Sequence, residues 1–244
     1  MKAIILAAGE GKRLRPITED RPKCMVLFHG KSIIDYQLET LHSCGIQDII
    51  VVRGYCAEAI KSEGVRFVFN PLYANSNMVY SLFCAEQELT GDLIISYGDI
   101  VYNTAVLKSL LDCNSDIAIT IDTKWRELWE LRMEDLLTDA ETLILDSNEN
   151  ILELGKKAKK IGDIQGQYMG LIKISSKIIR KIITFYHKMD HSRLYDGNDF
   201  NNIYMTSFLQ NLIDNGFSIK AVPIAGGWVE IDSITDLDLP VGGI

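Results

Sequence analysis

The chain has 244 residues, 47% of them hydrophobic, and a formal net charge of −8 at pH 7. That acidic balance argues against a nucleic-acid partner, and no apolar stretch approaches the ~18–20 residues that a membrane span needs. The apolar N-terminal run is also too short for a signal peptide. We therefore expect a cytoplasmic protein with one domain, 1–244, large enough for a substantial core.

The first predicted strand runs directly into a loop that contains two glycines. The segment Leu6-Ala-Ala-Gly-Glu-Gly-Lys-Arg13 ends an apolar run with small residues and then brings in cationic side chains. Glycine has no Cβ and adopts positive φ, so the backbone at Gly9 and Gly11 can approach an anion closely. With Lys23 adding a further positive charge, this loop is typical of a polyphosphate site.

Two better-known phosphate loops do not fit this segment. A P-loop needs Ser or Thr after its Gly-Lys pair, whereas Arg13 follows Gly11-Lys12. The dinucleotide fingerprint Gly-x-Gly-x-x-Gly has Leu14 where its third glycine belongs. Extended to Lys23, the segment instead resembles the motif Leu-Ala-Ala-Gly-x-Gly-x-Arg-Leu-x-Pro-x-Thr…Pro-Lys of the nucleotidyltransferases that make NDP-sugars and related activated compounds.

This resemblance carries expectations for the fold and for the first loop. It implies a Rossmann-like three-layer α/β/α nucleotidyltransferase fold, with a mostly parallel mixed sheet and a small substrate-side lobe. Arg13 and Lys23 would be the catalytic cations on the phosphates. The residues of this loop that would contact the nucleotide are Leu6, Ala7, Ala8, Gly9 and Gly11.

Short β-rich runs alternate with amphipathic segments over residues 1–121, which we interpret as a nucleotide-binding half. Such alternation favours a parallel sheet covered on both faces, with ligands beyond the carboxyl ends of its strands. Ser32 and Ser76 are predicted N-caps. Strands are predicted at 49–52, 65–69, 93–96 and 117–121, and helices at 32–43, 56–62, 76–89 and 104–112.

The pattern changes over residues 122–244, which we interpret as a substrate-binding half. Asn148-Glu-Asn150 separates two apolar runs, and this arrangement indicates a β-hairpin. Strands are predicted at 141–146, 151–154, 167–174, 221–224 and 228–231, and helices at 176–187 and 200–215.

Two aspartates that follow predicted strands are candidate metal ligands. The tripeptide Tyr97-Gly98-Asp99 follows strand 93–96 directly, and Asp232 follows Trp228-Val-Glu230. Carboxylate oxygens are ligands that Mg²⁺ prefers, and an acidic protein that handles nucleotides needs a cation to offset anion repulsion. The nucleotidyltransferases keep their metal-binding acids at corresponding places, so the resemblance implies that Asp99 and Asp232 bind Mg²⁺.

Further segments narrow the resemblance to one branch of these enzymes. Asn70–Met78 with Ser81-Leu82 is similar to a segment of phosphocholine cytidylyltransferases in which a Ser-Asn pair lies beside the base. Ser76 and Asn77 are therefore candidate base contacts, and CTP is the favoured nucleotide. Segments 122–132, 139–143, 153–157 and 167–171 resemble the phosphocholine, aminoethylphosphonate and phosphoglutamine cytidylyltransferases, the last most of all. This branch serves capsule, teichoic-acid and phosphonate pathways.

Aromatic and acidic side chains in the second half are candidates for substrate binding. Aromatic faces and carboxylates together suit an ammonium or amide group. Trp125 and Trp129, four residues apart, are explained equally well as the core face of a helix. We interpret Arg132 either as a residue that binds a substrate carboxylate or phosphate or as one member of a surface ion pair. The candidate substrate residues are Trp129, Glu141, Tyr168, Trp228 and Glu230.

These features predict a magnesium-dependent cytidylyltransferase. A phosphate or phosphonate oxygen of a small amine, amide or amino acid would attack the α-phosphorus of CTP and expel diphosphate, without a covalent enzyme intermediate. Two alternatives stay open: a sugar-1-phosphate nucleotidyltransferase that uses CTP, UTP, dTTP or GTP, and a nucleotide-binding regulator without turnover. The sequence also leaves the oligomeric state open, a homo-oligomer included.

Overall fold

The structure is a computed structural model that describes residues 1–132 and 135–240. The described strands are β1 (Lys2–Ala7), β2 (Leu27–Phe28), β3 (Lys31–Ser32), β4 (Asp48–Arg53), β5 (Arg66–Phe69), β6 (Leu93–Tyr97), β7 (Ile100–Tyr102), β8 (Ile117–Asp122), β9 (Glu141–Leu145), β10 (Ile151–Lys157), β11 (Gln167–Ile174), β12 (Lys220–Ile224) and β13 (Trp228–Glu230). The described α-helices are α1 (Ile33–Ser43), α2 (Met78–Cys84), α3 (Thr104–Asp112), α4 (Trp125–Arg132), α5 (Ile179–Lys188) and α6 (Met205–Asp214).

The central sheet has seven strands in the order β12-β8-β11-β6-β1-β4-β5. Neighbouring strands are parallel, except that β11 is antiparallel to both β6 and β8. The apolar run of β1 is continuous rather than alternating because helices cover both faces of the sheet. The predicted three-layer, mostly parallel mixed fold is therefore confirmed.

Side chains of β1 alternate between two hydrophobic layers. Ile4 and Leu6 pack in the layer that contains α2, α5 and α6, whereas Ile5 packs with α1, α3 and α4. Burying one such aliphatic side chain contributes about 1.5–3 kcal/mol. Because both layers hold β1 rigidly, the loop that follows it starts from a fixed point at the sheet edge.

Three of the predicted helices differ in the structure. Segment 76–89 is divided into α2 and the 3₁₀ turn Glu86–Glu88. Segment 56–62 forms only a 3₁₀ turn, Ala57–Ala59, because it buries little apolar surface and a helix this short needs packing. The segment 200–215 is divided into the 3₁₀ turn Phe200–Asn202 and α6. Ser32 caps α1 as predicted, since its hydroxyl accepts the N–H of Asp35 at 3.2 Å.

The prediction that Ser76 is an N-cap is wrong, because Asn77 occupies that position in α2. The Asn77 side chain accepts the N–H of Met78 at 2.8 Å, and the Ser76 hydroxyl instead accepts a hydrogen bond from Asn70 at 3.0 Å. Ser76 ends the preceding 3₁₀ turn, Tyr73–Asn75, and Asn77 is the extended residue directly before the helix.

The predicted hairpin is formed by β9 and β10, which pair antiparallel and contact α6 through a hydrogen bond from Leu154 N to Gln210 Oε1 at 2.9 Å. Leu143, Ile151 and Leu154 of this hairpin are buried in the same hydrophobic layer as α6. The predicted second half, 122–244, extends beyond the described residues at 133–134 and 241–244. Among the described helices, none combines the length and the apolar character that crossing a membrane requires.

Candidate active site

The loops after β1 and β6 meet at one edge of the sheet. Leu6 is in register with Tyr97, and the Gly98 N–H donates to the carbonyl of Leu6 at 2.9 Å. A Cβ on Gly98 would lie only 2.6 Å from that carbonyl oxygen, so this approach requires glycine. The contact places Asp99, the next residue, beside the glycine loop.

A cavity of about 140 Å³ opens at this edge, and we call it the glycine-loop cavity. All but one of the predicted nucleotide residues line it: Leu6, Ala7, Ala8, Gly9, Ser76 and Asn77. Lys23 and Asp99 also line it, together with residues that were not candidate nucleotide contacts: Cys24, Tyr73, Met78, Ser81, Tyr97 and Gly98. Gly11 is not part of the lining. Its φ of +66° and a gap of only 3.0 Å between a Cβ there and Lys23 Cβ show that it lets the loop pass closely beside that lysine.

Lys23 lies between the two predicted metal-binding aspartates. Its Nζ donates to Asp99 Oδ2 at 2.7 Å and to Asp232 Oδ1 at 2.5 Å. The side chains of Lys23, Asp99 and Asp232 are only 13%, 15% and 15% exposed. Burial disfavours the ammonium, but the charges of the two carboxylates outweigh it and raise the pKa of Lys23 above its usual value. Lys23 is therefore protonated at neutral pH, and these two bonds leave one of its three N–H donors for a further acceptor.

Asp99, Glu230 and Asp232 form an acidic cluster, with carboxylate oxygens that lie within 4.8 Å of one another. Asp99 Oδ1 is buried and has no hydrogen-bond partner among the residues that the structure describes. Burial, reinforced by the charges of Asp99 and Asp232, raises the pKa of Glu230 to about 7. An unpartnered buried oxygen among crowded carboxylates is costly unless a cation completes the group. The donor set is all oxygen, so it fits a hard divalent cation such as Mg²⁺.

A second cavity of about 270 Å³ adjoins the first, and we call it the aromatic pocket. Met78 and Tyr97 line both cavities and form the wall between them. All five predicted substrate residues line the aromatic pocket: Trp129, Glu141, Tyr168, Trp228 and Glu230. Its lining also includes residues that were not candidate substrate contacts: Asp139, Gln167, Met169, Gly170, Tyr204, Met205 and Thr206.

Charges in the aromatic pocket are mostly negative. Burial, with the charges of Asp139 and Asp196 adding to it, raises the pKa of Glu141 to about 7. Arg13 also lines this pocket and forms an ion pair with Asp232, while its side chain remains 67% exposed. Arg13 thus lies beside the acidic cluster on the side of the aromatic pocket and is absent from the lining of the glycine-loop cavity.

The aromatic wall is held by buried contacts. Trp129 and Trp228 have ring centroids 6.3 Å apart, and Trp228 Nε1 donates to the buried Asp122 carboxylate at 2.9 Å. Trp125 and Trp129 are both buried in the core layer, as the helical spacing indicated, but only Trp129 also lines the pocket. Neither role predicted for Arg132 fits the structure. Its side chain is buried and pairs with Glu230 and Asp236, so it is neither a surface ion pair nor available to bind a ligand.

Comparison with known proteins places the chain in a family. Residues 3–158 match the MobA-like NTP transferase domain family. The chain belongs to this family. It is 45% identical over 252 aligned positions to a CTP:phosphoglutamine cytidylyltransferase from Campylobacter jejuni, and the alignment covers 99% of each chain. Over 106 positions it is 45% identical to a choline-phosphate cytidylyltransferase from Streptococcus pneumoniae, which covers 42% of this chain and 46% of the relative.

A solved structure extends the likeness of this NTP transferase to its three-dimensional fold. The CTP:phosphocholine cytidylyltransferase from Streptococcus pneumoniae superimposes with a TM-score of 0.74 at 28% identity. The superposition covers 96% of this chain and 95% of the other. The nucleotidyltransferase fold and the cytidylyltransferase resemblance inferred from the sequence are therefore confirmed.

The NTP transferase fold also relies on a buried glutamine that sequence reasoning missed. Gln37 Nε2 donates to the carbonyls of Tyr97 and Ile100 at 2.8 and 2.7 Å, and its Oε1 accepts from Ser96 Oγ at 2.8 Å. These bonds hold the turn that carries Asp99. A readable signal existed, because Gln37 is a polar residue at a core-facing position of α1, between the buried Ile34 and Leu41.

Proposed function

We propose that this NTP transferase is a magnesium-dependent cytidylyltransferase. It transfers the cytidylyl group of CTP to a phosphate or phosphonate oxygen of a small amine, amide or amino acid and releases diphosphate. The observation that carries the proposal is the pair of adjoining cavities with a buried, protonated Lys23 and an acidic cluster between them. The full-length likeness to a CTP:phosphoglutamine cytidylyltransferase supports CTP and a phosphorylated amino-acid amide as the substrates.

The glycine-loop cavity receives CTP. Its small residues, Leu6 to Gly9, leave room for the base and ribose, and Gly11 lets the loop pass close to Lys23 and the phosphates. Asn77 Oδ1 already accepts the Met78 N–H, and the Ser76 oxygen accepts from Asn70, so both side chains offer donors to the base. Cytosine accepts at the adjacent O2 and N3, whereas uracil accepts at O2 and O4 and donates from N3, so two donors that face O2 and N3 together match cytosine alone. This donor pattern favours CTP over UTP.

Phosphoryl chemistry of this kind needs positioning and charge neutralisation rather than a covalent intermediate. Lys23 donates its remaining N–H to a phosphate oxygen, and Arg13 stabilises the negative charge that develops on the phosphates. Asp99 and Asp232 hold Mg²⁺, with Glu230 beside them. When bound, Mg²⁺ neutralises charge on the triphosphate and orients it. The attacking phosphate oxygen is already anionic, so no general base is required.

The aromatic pocket receives the second substrate. Glu141 and the neighbouring Asp139 supply negative charge, and Trp129, Tyr168 and Trp228 supply aromatic faces. For a cationic group, contact with an aromatic face contributes about 0.5–2 kcal/mol in addition to the ion pair. The acceptor therefore needs an amino group far enough from its phosphate to reach Glu141 while the phosphate lies near Lys23.

A substrate grid tests this function. Diphosphate release is measured with Mg²⁺ while CTP, UTP, dTTP, GTP and ATP are crossed against phosphoglutamine, phosphocholine, phosphoethanolamine, 2-aminoethylphosphonate and glucose 1-phosphate. We expect release that requires CTP and one nitrogen-containing acceptor. Release with glucose 1-phosphate would assign the protein to the sugar-1-phosphate enzymes. CTP binding without release across the grid would favour a regulator without turnover.

A further inference from the structure

Arg132, at the end of α4, lies behind the acidic cluster and is almost completely buried. Its side chain is 4% exposed, and that of its partner Asp236 is 3% exposed. Nε donates to Asp236 Oδ1 at 2.9 Å, and Nη1 donates to Glu230 Oε2 at 3.1 Å. The planar guanidinium thus bridges two carboxylates that lie two residues before and four residues after Asp232.

Asp236 transmits this contact to the backbone of the metal-binding acid. Its Oδ2 accepts the N–H of Asp232 at 2.8 Å and the N–H of Ser233 at 2.7 Å. The Ser233 side chain completes a capping box with Asp236 at the start of the 3₁₀ turn Ile234–Asp238. On the other side of Asp232, the Ile231 N–H donates to the carbonyl of Asp99 at 2.9 Å. The segment that presents Asp232 is therefore fixed by Asp236 on its C-terminal side and by the carbonyl of Asp99 on its N-terminal side.

We propose that Arg132 is a positioning residue for the metal-binding carboxylate of Asp232. This inference rests on the proposed function, because it assigns Asp232 to Mg²⁺. Arg132 compensates the charges of Glu230 and Asp236, and its two-armed contact keeps Asp236 in place to hold the Asp232 backbone. Its guanidinium also lies 5.5 Å from the ring centroid of Trp129, so the helix that lines the aromatic pocket is the same one that supports the metal site.

The test compares three variants by calorimetric titration of Mg²⁺ into protein with CTP present and the acceptor omitted. This readout reports metal affinity and does not depend on turnover. Arg132→Met removes the charge and the hydrogen bonds, whereas Arg132→Lys keeps the charge and removes the planar guanidinium. Arg126→Met is the control, because it makes the same chemical change at an exposed position of the same helix. Thermal unfolding and CTP binding without metal are measured in parallel.

We expect Mg²⁺ affinity to fall by about 10–100-fold in Arg132→Met, as is typical when an outer-shell partner of a metal ligand is lost. Arg132→Lys should lie between this value and wild type, and Arg126→Met should equal wild type. CTP binding without metal should change less than twofold. Should Arg132→Met fail to fold, Arg132→Lys carries the test, because a lysine keeps the charge but lacks the planar pair of N–H groups that contacts both oxygens of Asp236.

Wild-type Mg²⁺ affinity in a folded Arg132→Met protein, or in Arg132→Lys if that is the variant that folds, would overturn the inference. The wild-type titration separates this failure from failure of the proposed function. A wild-type protein that binds CTP without any Mg²⁺ dependence overturns both the metal assignment and the role of Arg132. A wild-type protein with Mg²⁺-dependent binding and unchanged variants overturns the role of Arg132 alone.

Discussion

The glycine-loop cavity and the aromatic pocket share a wall but are built from different parts of the chain. The first cavity is shaped by residues at the ends of β1 and β6, by Lys23 and Cys24, and by the segment that leads into α2. A Cβ on Gly98 or Gly54 would lie within 2.7 Å of a β1-loop carbonyl, so strand register sets its dimensions. Large side chains from α4, β9, β11 and β13, which are far apart in sequence, shape the second.

This difference separates two kinds of substitution. In the glycine-loop cavity, adding atoms distorts the sheet edge, and removing Lys23 removes the charge that balances the acidic cluster. In the aromatic pocket, a side chain can change without moving a strand. We therefore expect nucleotide use to resist substitution and acceptor use to respond to it.

The largest effect is expected for Lys23→Ala. Loss of a preorganised cation at the reacting phosphates typically costs about 3–4 kcal/mol of barrier, or about 10²–10³ in rate. We expect kcat to fall by that factor in a protein whose circular dichroism is unchanged. Lys31→Ala, which removes an exposed lysine paired with Glu39, is the matched control and should keep wild-type turnover. A near-normal kcat in Lys23→Ala would show that Lys23 does not act on the reacting phosphates.

Gln37→Leu should have the next largest effect, on stability and turnover together. The substitution leaves the carbonyls of Tyr97 and Ile100 without their donor, at a cost of about 1–3 kcal/mol for each unsatisfied buried group. The Asp99 turn then loosens, and we expect kcat to fall about tenfold, the equivalent of ~1.4 kcal/mol. Urea unfolding and steady-state kinetics measure the two effects.

Gln210→Leu is the control for Gln37→Leu, because it removes a hydrogen bond to β10 on the far side of α6. It should destabilise the protein and leave kcat unchanged. Equal losses of turnover in both glutamine variants would mean that Gln37 acts through overall stability and not through Asp99.

Glu141→Gln should alter the use of the acceptor and spare that of CTP. The variant keeps the size of the side chain and loses its negative charge, so a cationic acceptor loses one partner. We expect the acceptor KM to rise about tenfold, ~1.4 kcal/mol, with the CTP KM within twofold of wild type. Steady-state kinetics with each substrate varied in turn separate the two. A larger change for CTP than for the acceptor would contradict the division between the cavities.

The smallest effect is a change in the pH dependence of stability in the same variant. Burial raises the pKa of Glu141 to about 7, so the folded state binds its proton more tightly than the unfolded state, whose value is about 4.3. Wild-type stability due to this group is therefore present below pH 4.3 and lost as pH rises to about 7. Glu141→Gln has no such carboxyl group and does not lose this stability. With the partial exposure of Glu141 taken into account, we expect the difference in free energy of unfolding between variant and wild type to shift by about 1 kcal/mol in favour of the variant from pH 4 to pH 8. Urea titrations at the two pH values measure it, and equal pH profiles would place Glu141 in water.

The sequence predicts the glycine-loop cavity better than it predicts the aromatic pocket. Lys23, Asp99 and Asp232 were predictable because a local motif and strand ends carry them to one sheet edge. The N-cap at Asn77 was assigned to Ser76, because the competing bond from Asn70 is invisible in a propensity pattern.

Long-range partners explain the remaining errors. Arg132 was interpreted as a ligand contact or a surface pair because its partner Asp236 lies 104 residues away along the chain. The five substrate candidates have residue types that suit an ammonium or amide group, and all of them line one pocket. Asp139, Gln167 and Tyr204 also line it, but neither their residue type nor their spacing marks them as substrate contacts. Their proximity arises from packing of α4 and the hairpin against the sheet.

The most direct test of the central claim is to follow the label from CTP that carries radioactive phosphorus at either the α or the γ position. The account predicts that α-label moves into the acceptor product and that γ-label leaves as diphosphate, in equal amounts and with dependence on Mg²⁺. Transfer of γ-label to the acceptor, or its release as inorganic phosphate, would contradict cytidylyl transfer between the two cavities.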